Sequence, residues 1–348
     1  MTWTGPFDHL VALILRRYEG HLSERDPARP RILVIRRNRL GDMICTVPLL
    51  RALRRHYSEA HLTVACDEAG APVARAVRAV DEVVVLEAAG FQGLRLWTNA
   101  RRLQEYDWVI GVKGGFDRRL ARLVRLTGGA RRIGFGDGRD EGWDYYTDPV
   151  ALPSGIEHQV ETVLRLLQPL GITEPSPEIR LDLPAEGEAF ADGVLSESRW
   201  KPGRFVVINI SSTVRLRFGP EDFLEVTRRV LEGSELAVIF VGAPVDQGRA
   251  GELAERAGSE RVGAMATPGP LELAAVMKRA RVLLTPEGGA AHLAAGVGTA
   301  AVVLWSEGPF EKWRSRGENH VFVRAAKGGM GLSVEEVWGA LRPFLARA

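Results

Sequence analysis

RILVIRRNRLGDMICTVPLLRALRRHY, residues 31–57, decides the fold of this chain. Residues 31–36 are a continuous apolar run with β-branched side chains, the pattern of a strand buried on both faces. NRLGD at 38–42 reads as a loop. Residues 46–56 then read as a helix with Pro48 in its first turn, where a missing N–H costs nothing. A buried strand that passes through a loop into a helix opens a parallel α/β unit.

The alternation continues outward from this stretch. HLTVAC (61–66), EVVVL (82–86) and WVIGV (108–112) read as strands, with helical pattern at 71–80 and in RRLARLVRLTG. That order predicts a mainly parallel sheet with helices on both faces. Residues 136–157 read as loop and 158–170 as helix. TEPSPEIRLDLPAEG (173–187), rich in Pro and Glu, reads as a connector. A second alternation then begins with the strands FVVINI (205–210), LAVIFVG (236–242), RVLLTP (281–286) and TAAVVLW (299–305). Helical stretches lie between them. SVEEVWGALRPFLA (333–346) closes the chain, with Ser333 and Glu336 spaced as a capping box. The expected organisation is an N-terminal helix and linker (1–30), a doubly wound unit (31–175), a linker (176–203), a second such unit (204–330) and a closing helix (331–348).

The 348 residues suit two domains with sizeable cores. Charged residues at 26% and hydrophobic residues at 45% are ordinary for a globular protein. A net charge of +2 gives no electrostatic case for a nucleic-acid partner. Only five of the basic residues are Lys. Such Arg usage suits bidentate phosphate sites, and equally a genome rich in G and C. Cys45 and Cys66 have no metal or redox spacing, so a disulfide framework is excluded and a reducing cytoplasm is expected. No run approaches the roughly 18–20 apolar residues of a membrane span. Phe7, Leu10, Val11, Ile14 and Leu15 share a helical face followed by Arg16 and Arg17. That face packs on its own domain or rests on an anionic membrane surface. Its apolar run is short for a signal-peptide core of about 7–15 residues.

Three loops carry chemistry. In TPEGGAAHLAAGVG (285–298) a strand runs through Gly288 and Gly289 into a helix bearing His292. Glycines let the backbone approach a ligand, and a helix start offers unpaired N–H groups and a positive dipole end. This suits a diphosphate, although a packing turn has the same composition. The Lys of a P-loop and the GxGxxG spacing are both missing. After FVVINI come Ser211, Ser212, Arg215 and Arg217, hydroxyl and guanidinium groups that suit phosphate oxygens or a solvated loop. Gly242 marks the turn after LAVIFVG. In the first half, Asp42 stands at the mouth of the first strand beside Arg36, Arg37 and Arg39. It reads as a general base or as a helix-start carboxylate stabilised by the dipole. No Asp-x-Asp pair ends a strand, so a metal-free site is expected. GFGDG (134–138) is the one cue for a Rossmann oxidoreductase, and no clear helix follows it.

Together these pieces resemble glycosyltransferase family 9, the heptosyltransferase family of lipopolysaccharide core assembly. RILVIRRNRLGDMICTVPLLRALRRHY, RRIGF (131–135), HQVETVLRLLQPLGI (158–172), FGPEDFLEVTRRVL (218–231) and TPEGGAAHLAAGVGTAAVVLW (285–305) match the family pattern in order. The resemblance implies a GT-B fold of two facing Rossmann-like doubly wound domains. Residues 31–175 would bind the acceptor and residues 204–330 the nucleotide-sugar donor. It implies inversion at the anomeric carbon without an essential metal, an ADP-linked heptose as co-substrate, no further cofactor, and a glycan or glycolipid acceptor. Cytoplasmic action at the inner membrane face, with peripheral association, fits that acceptor. Asp42 falls on the base, with Arg36, Arg37 and Arg39 on the acceptor side. Ser211, Ser212, Arg215, Arg217, Gly242, Glu287, Gly288, Gly289 and His292 fall on the donor side. His292 also reads as a capping or packing residue. Glu287 stands where the family has Asp, Gly288 replaces a hydroxyl residue, and Leu216, flanked by Arg215 and Arg217, takes the place of a Lys. These departures leave two alternatives open: a transferase acting on a soluble acceptor, and a nucleotide-sugar-binding protein without turnover.

Overall fold

The computed structural model describes residues 29–37, 39–86, 93–136, 145–197, 200–212, 218–306, 308–325 and 331–346. The chain divides into two compact units, residues 1–178 and 179–348. The apolar face at residues 7–15 and the arginines at 215 and 217 lie outside the described residues.

In unit 1 the elements run β1 (Arg31–Arg36), α1 (Leu40–Ile44), α2 (Val47–His56), β2 (His61–Cys66), α3 (Ala71–Ala76) and β3 (Glu82–Val85). Then come α4 (Gly93–Arg102), β4 (Trp108–Val112), α5 (Arg118–Leu126), β5 (Arg131–Gly136), β6 (Asp148–Ala151) and α6 (Gln159–Leu164), which continues as a 3-10 turn over Arg165–Leu170. The sheet has the order β3-β2-β1-β4-β5-β6, and all its pairings are parallel. Ile32, Leu33, Val34 and Ile35 are fully buried, as the continuous apolar run requires of a central strand covered on both faces.

Unit 2 runs α7 (Ala185–Glu197), β7 (Phe205–Asn209), α8 (Pro220–Gly233), β8 (Ala237–Val241), α9 (Gln247–Arg256) and β9 (Val262–Ala264). It continues with α10 (Pro270–Arg279), β10 (Val282–Pro286), α11 (Gly289–Val297), β11 (Ala301–Trp305), α12 (Phe310–Trp313), β12 (His320–Arg324) and α13 (Val334–Leu345). Its parallel sheet has the order β12-β11-β10-β7-β8-β9. Counted within the unit, this is the same strand order as in unit 1. Both units are therefore doubly wound in the Rossmann order, and the strand direction of travel reverses between β1 and β4 and between β7 and β10. Ligands of such sheets bind beyond the C-terminal strand ends at that switch point.

Several local expectations needed correction. Residues 40–42 are not loop: they form the first turn of α1, with Asp42 in it. The stretch 136–157 contains β6, and β9 and β12 also lacked a clear strand signal. All three are sheet edges, where strands are short and partly exposed. Pro149 is tolerated in β6 because an edge strand can spare a ladder donor. The segment 176–203, read as linker, carries α7. That helix buries Ala191 and Leu195, and its Glu188 meets Lys278 and Arg279 of α10, each at 2.7 Å. The capping box at Ser333 forms: Glu336 N–H donates to Ser333 Oγ at 3.2 Å, and Ser333 N–H to Glu336 Oε2 at 3.0 Å. Among the described residues no helix is long and apolar enough to cross a membrane.

Candidate active site

At the C-terminal edge of unit 1, Arg36 ends β1 with 1% of its surface exposed. A guanidinium is buried only where its donors are used, and here they are. Nη1 donates to the Val112 carbonyl at the end of β4 at 3.1 Å. Nε donates to the Asp42 carbonyl at 3.2 Å, and Nη2 pairs with Asp42 Oδ1. Arg36 therefore bridges the two strands of the switch point and holds α1 by its first turn. Thr46 Oγ1 adds a bond to the Asp42 carbonyl at 2.8 Å.

The Asp42 side chain keeps 14% exposure. A carboxylate held by a buried guanidinium at a strand mouth, and still partly exposed, can take a proton from a bound hydroxyl. Arg36 is too buried to meet a ligand; it acts on Asp42. Arg39 is exposed and Arg37 half-buried on the same edge. Burial pulls the Arg36 and Arg37 guanidinium pKa values below the usual range. Asp42 opposes this at Arg36, and Asp117 and Asp67 oppose it at Arg37.

At the corresponding edge of unit 2, β10 runs through Glu287 and Gly288 into α11. Gly288 has φ 141° and ψ −158°, a region only glycine occupies without strain. That conformation turns the chain so that the first-turn N–H groups of α11, which have no intrahelical acceptor, face past the strand end. Glu287 N–H donates to the Leu304 carbonyl at 2.9 Å. Glu287 Oε1 accepts from Ser306 N–H at 3.1 Å and from Ser306 Oγ at 2.7 Å. The carboxylate is thus tied to the end of β11. His292 is buried on α11 with 5% exposure.

Ser211 and Ser212 follow β7 in the adjacent loop. The Ser211 hydroxyl donates to Asp246 Oδ2 at 2.6 Å and accepts from Ala243 N–H at 2.7 Å. Gly242 lies between them: a Cβ there would stand 3.2 Å from Ser211 Oγ and 3.1 Å from Asp246 Cβ. The structure thus gathers Ser211, Ser212, Gly242, Glu287, Gly288, Gly289 and His292 within unit 2, and Asp42 with Arg36, Arg37 and Arg39 within unit 1. Asn209, Asp246, Thr285 and Ser306 join the unit 2 network without having been anticipated. Asn209 did carry a signal, as a polar residue closing an otherwise apolar strand. Among the described residues no group of three His, Cys, Asp or Glu is placed to hold a metal ion.

The sequence profile of glycosyltransferase family 9 (heptosyltransferase) matches residues 94–335, more than half of the chain. This chain belongs to glycosyltransferase family 9. Its activity is glycosyl transfer. The match takes in the Gly288–Gly289 turn of unit 2 and begins after Asp42. Solved structures cover both units. A glycosyl transferase family 9 protein from Veillonella parvula DSM 2008 is 21% identical, covering 92% of this chain and 98% of its own, with TM-score 0.77. The E. coli ADP-heptose lps heptosyltransferase II is 17% identical over 90% of this chain and 98% of its own, with TM-score 0.74. E. coli heptosyltransferase WaaC with ADP is 19% identical over 90% and 99%, with TM-score 0.72. At these identities the likeness is one of fold, the GT-B class. No curated protein matches the sequence.

Proposed function

We propose that this family 9 protein is an inverting transferase that moves a heptose from an ADP-linked donor to an acceptor hydroxyl, such as one on a lipopolysaccharide core glycan. The observation that carries the reading is the glycine-only turn at Gly288, which opens α11 at the switch point of unit 2. It supplies backbone N–H groups and a positive dipole end where a diphosphate needs them. One relative, E. coli heptosyltransferase WaaC, is known in structures with ADP and with ADP-2-deoxy-2-fluoro heptose, which supports the choice of donor.

In this reading Asp42 removes the proton of the acceptor hydroxyl, whose oxygen attacks the anomeric carbon from the face opposite the diphosphate. The departing negative charge is stabilised by the α11 N-terminus together with Arg215 and Arg217, a preorganised electrostatic role. Arg36 keeps Asp42 in place. Arg37 and Arg39 face an acceptor at the cytoplasmic side of a membrane. No cofactor beyond the sugar nucleotide enters. The test is released nucleoside diphosphate from ADP-, UDP- and GDP-sugars in the presence of core glycan acceptors. ADP release from ADP-heptose supports the reading. Preference for UDP- or GDP-sugars overturns the donor, and tight ADP binding with no release from any pair favours a binding protein without turnover.

A further inference from the structure

Beneath the donor turn of unit 2 runs a chain of polar groups. Asn209 is the last residue of β7 and Thr285 the penultimate residue of β10. The two strands that flank the switch point therefore each carry a buried polar side chain, 6% and 0% exposed. Asn209 Nδ2 donates to Thr285 Oγ1 at 3.0 Å and to the Ser211 carbonyl at 3.2 Å. Asn209 Oδ1 accepts from Ser211 N–H at 3.3 Å. Thr285 Oγ1 passes its own proton to the Pro286 carbonyl at 2.9 Å, one residue before Glu287 and two before Gly288. On the other side, the Ser211 hydroxyl joins Asp246 and Ala243.

The direction of each bond is fixed by its neighbours. Thr285 has one hydroxyl proton and gives it to Pro286, so toward Asn209 it only accepts. Asn209 must then turn its NH2 to Thr285, which leaves its oxygen for Ser211 N–H. Likewise Ser211 spends its hydroxyl proton on Asp246 and has none for a phosphate oxygen. One hydrogen-bonded chain thus joins the loops after β8 and β7 to the last residue of β10, from which the Glu287–Gly288 turn leaves. Buried polar chains are costly unless every member is satisfied, and when satisfied they specify one arrangement.

We propose that Asn209 and Thr285, with Ser211 as the relay to Asp246, are positioning residues that set the spacing of the donor-phosphate loops. They act through the backbone of Ser211–Ser212 and of the Gly288–Gly289 turn. This rests on reading unit 2 as the donor site. Three single variants and one double variant of the full-length protein test it, with ADP as the calorimetric probe and with donor and acceptor KM measured separately. Thr285→Val keeps shape and removes the hydroxyl; Asn209→Asp keeps shape and replaces NH2 with oxygen; Thr285→Ser keeps the hydroxyl. Thr285→Val and Asn209→Asp are expected to weaken ADP binding about tenfold, as loss of one or two hydrogen bonds predicts. Donor KM rises in step and acceptor KM stays. Thr285→Ser restores wild-type affinity. The double variant loses less than the product of the two single losses, because both act through one bond. Unchanged ADP affinity in folded Thr285→Val, or equal rises in donor and acceptor KM, overturns the proposal. If Asn209→Asp does not fold, the Val and Ser variants at position 285 decide. Failure of the wild-type protein to bind ADP or UDP sinks the donor reading itself, and this inference with it.

Discussion

Arg36→Met removes a guanidinium that is 1% exposed and holds the Val112 carbonyl, the Asp42 carbonyl and the Asp42 carboxylate. Methionine fills similar volume but offers no donor. The variant leaves a carboxylate of 14% exposure without its cation and a carbonyl at the end of β4 without its donor. Breaking a buried ion pair from one side costs about 3–5 kcal/mol. For a unit of this size, 1 kcal/mol moves the melting temperature by roughly 2–4 °C, so the unit 1 transition should fall by about 6–20 °C. Calorimetry of the full-length protein reads it. Arg39→Met, at an exposed position, should stay within about 0.5 kcal/mol of wild type. The sign of a second change is diagnostic. Adding Asp42→Asn to Arg36→Met removes the uncompensated charge and should recover part of the loss. If Arg36→Met lies within about 1 kcal/mol of wild type, or the added Asp42→Asn lowers stability further, then Arg36 does not hold Asp42 as described.

Three further outcomes follow from unit 2 and from the proposed chemistry. Gly288→Thr should cost about 1–3 kcal/mol and weaken ADP binding, because φ is 141°. A Cβ there meets open space, so the cost is backbone strain, and a fully stable, ADP-binding variant would show that the turn relaxes. His320 is half-buried, accepts at Nδ1 from Ser315 Oγ at 2.7 Å and donates from Nε2 to the Thr299 carbonyl at 3.2 Å, and desolvation lowers its pKa to about 4. The unfolded chain binds this proton near pH 6.5 and the folded chain does not, so stability should fall as pH drops from 6.5 to about 4 and level off below, by roughly 3 kcal/mol in all; a denaturation series that is flat across this window contradicts the assignment. Under the proposed mechanism transfer should survive excess chelator, because that mechanism draws its positive charge at the diphosphate from arginines and backbone N–H groups. Loss in EDTA with rescue by Mg²⁺ or Mn²⁺ contradicts it.

The central strands were legible because burial on both faces leaves an unbroken apolar run, as in 32–35, 205–208 and 282–284. The edges were not. β9 is three residues long and β12 has only three apolar residues in a row, mostly left accessible, so tertiary pairing rather than composition makes them strands. Asp42 was legible as a residue at a strand mouth, but not its place inside a helical turn, since NRLGD has the composition of a loop. The turn at Gly288–Gly289 was read correctly as strand into helix. What the sequence hid was the spending of polar groups: Ser211 looks like a phosphate hydroxyl until Asp246, far along the chain, accepts its proton. Arg36 looks like an acceptor-side cation until burial and three internal bonds occupy it.

The most direct measurement compares turnover and ADP affinity on one protein, Asp42→Asn. Asn keeps Oδ1 for Arg36 but removes the charge that the buried guanidinium pairs with, so the variant should lose stability, and rate and affinity are compared only on the folded fraction, where the donor site of unit 2 should persist. The account predicts unchanged ADP affinity with transfer slowed about 10²–10⁴-fold, the usual size of general-base catalysis. A carboxylate that only complements a helix start is worth about 0.3–1 kcal/mol of stability and leaves the rate nearly intact. Near-normal turnover in the folded variant, or turnover and ADP binding lost together, contradicts the assignment of Asp42 as the base that serves a donor held by unit 2.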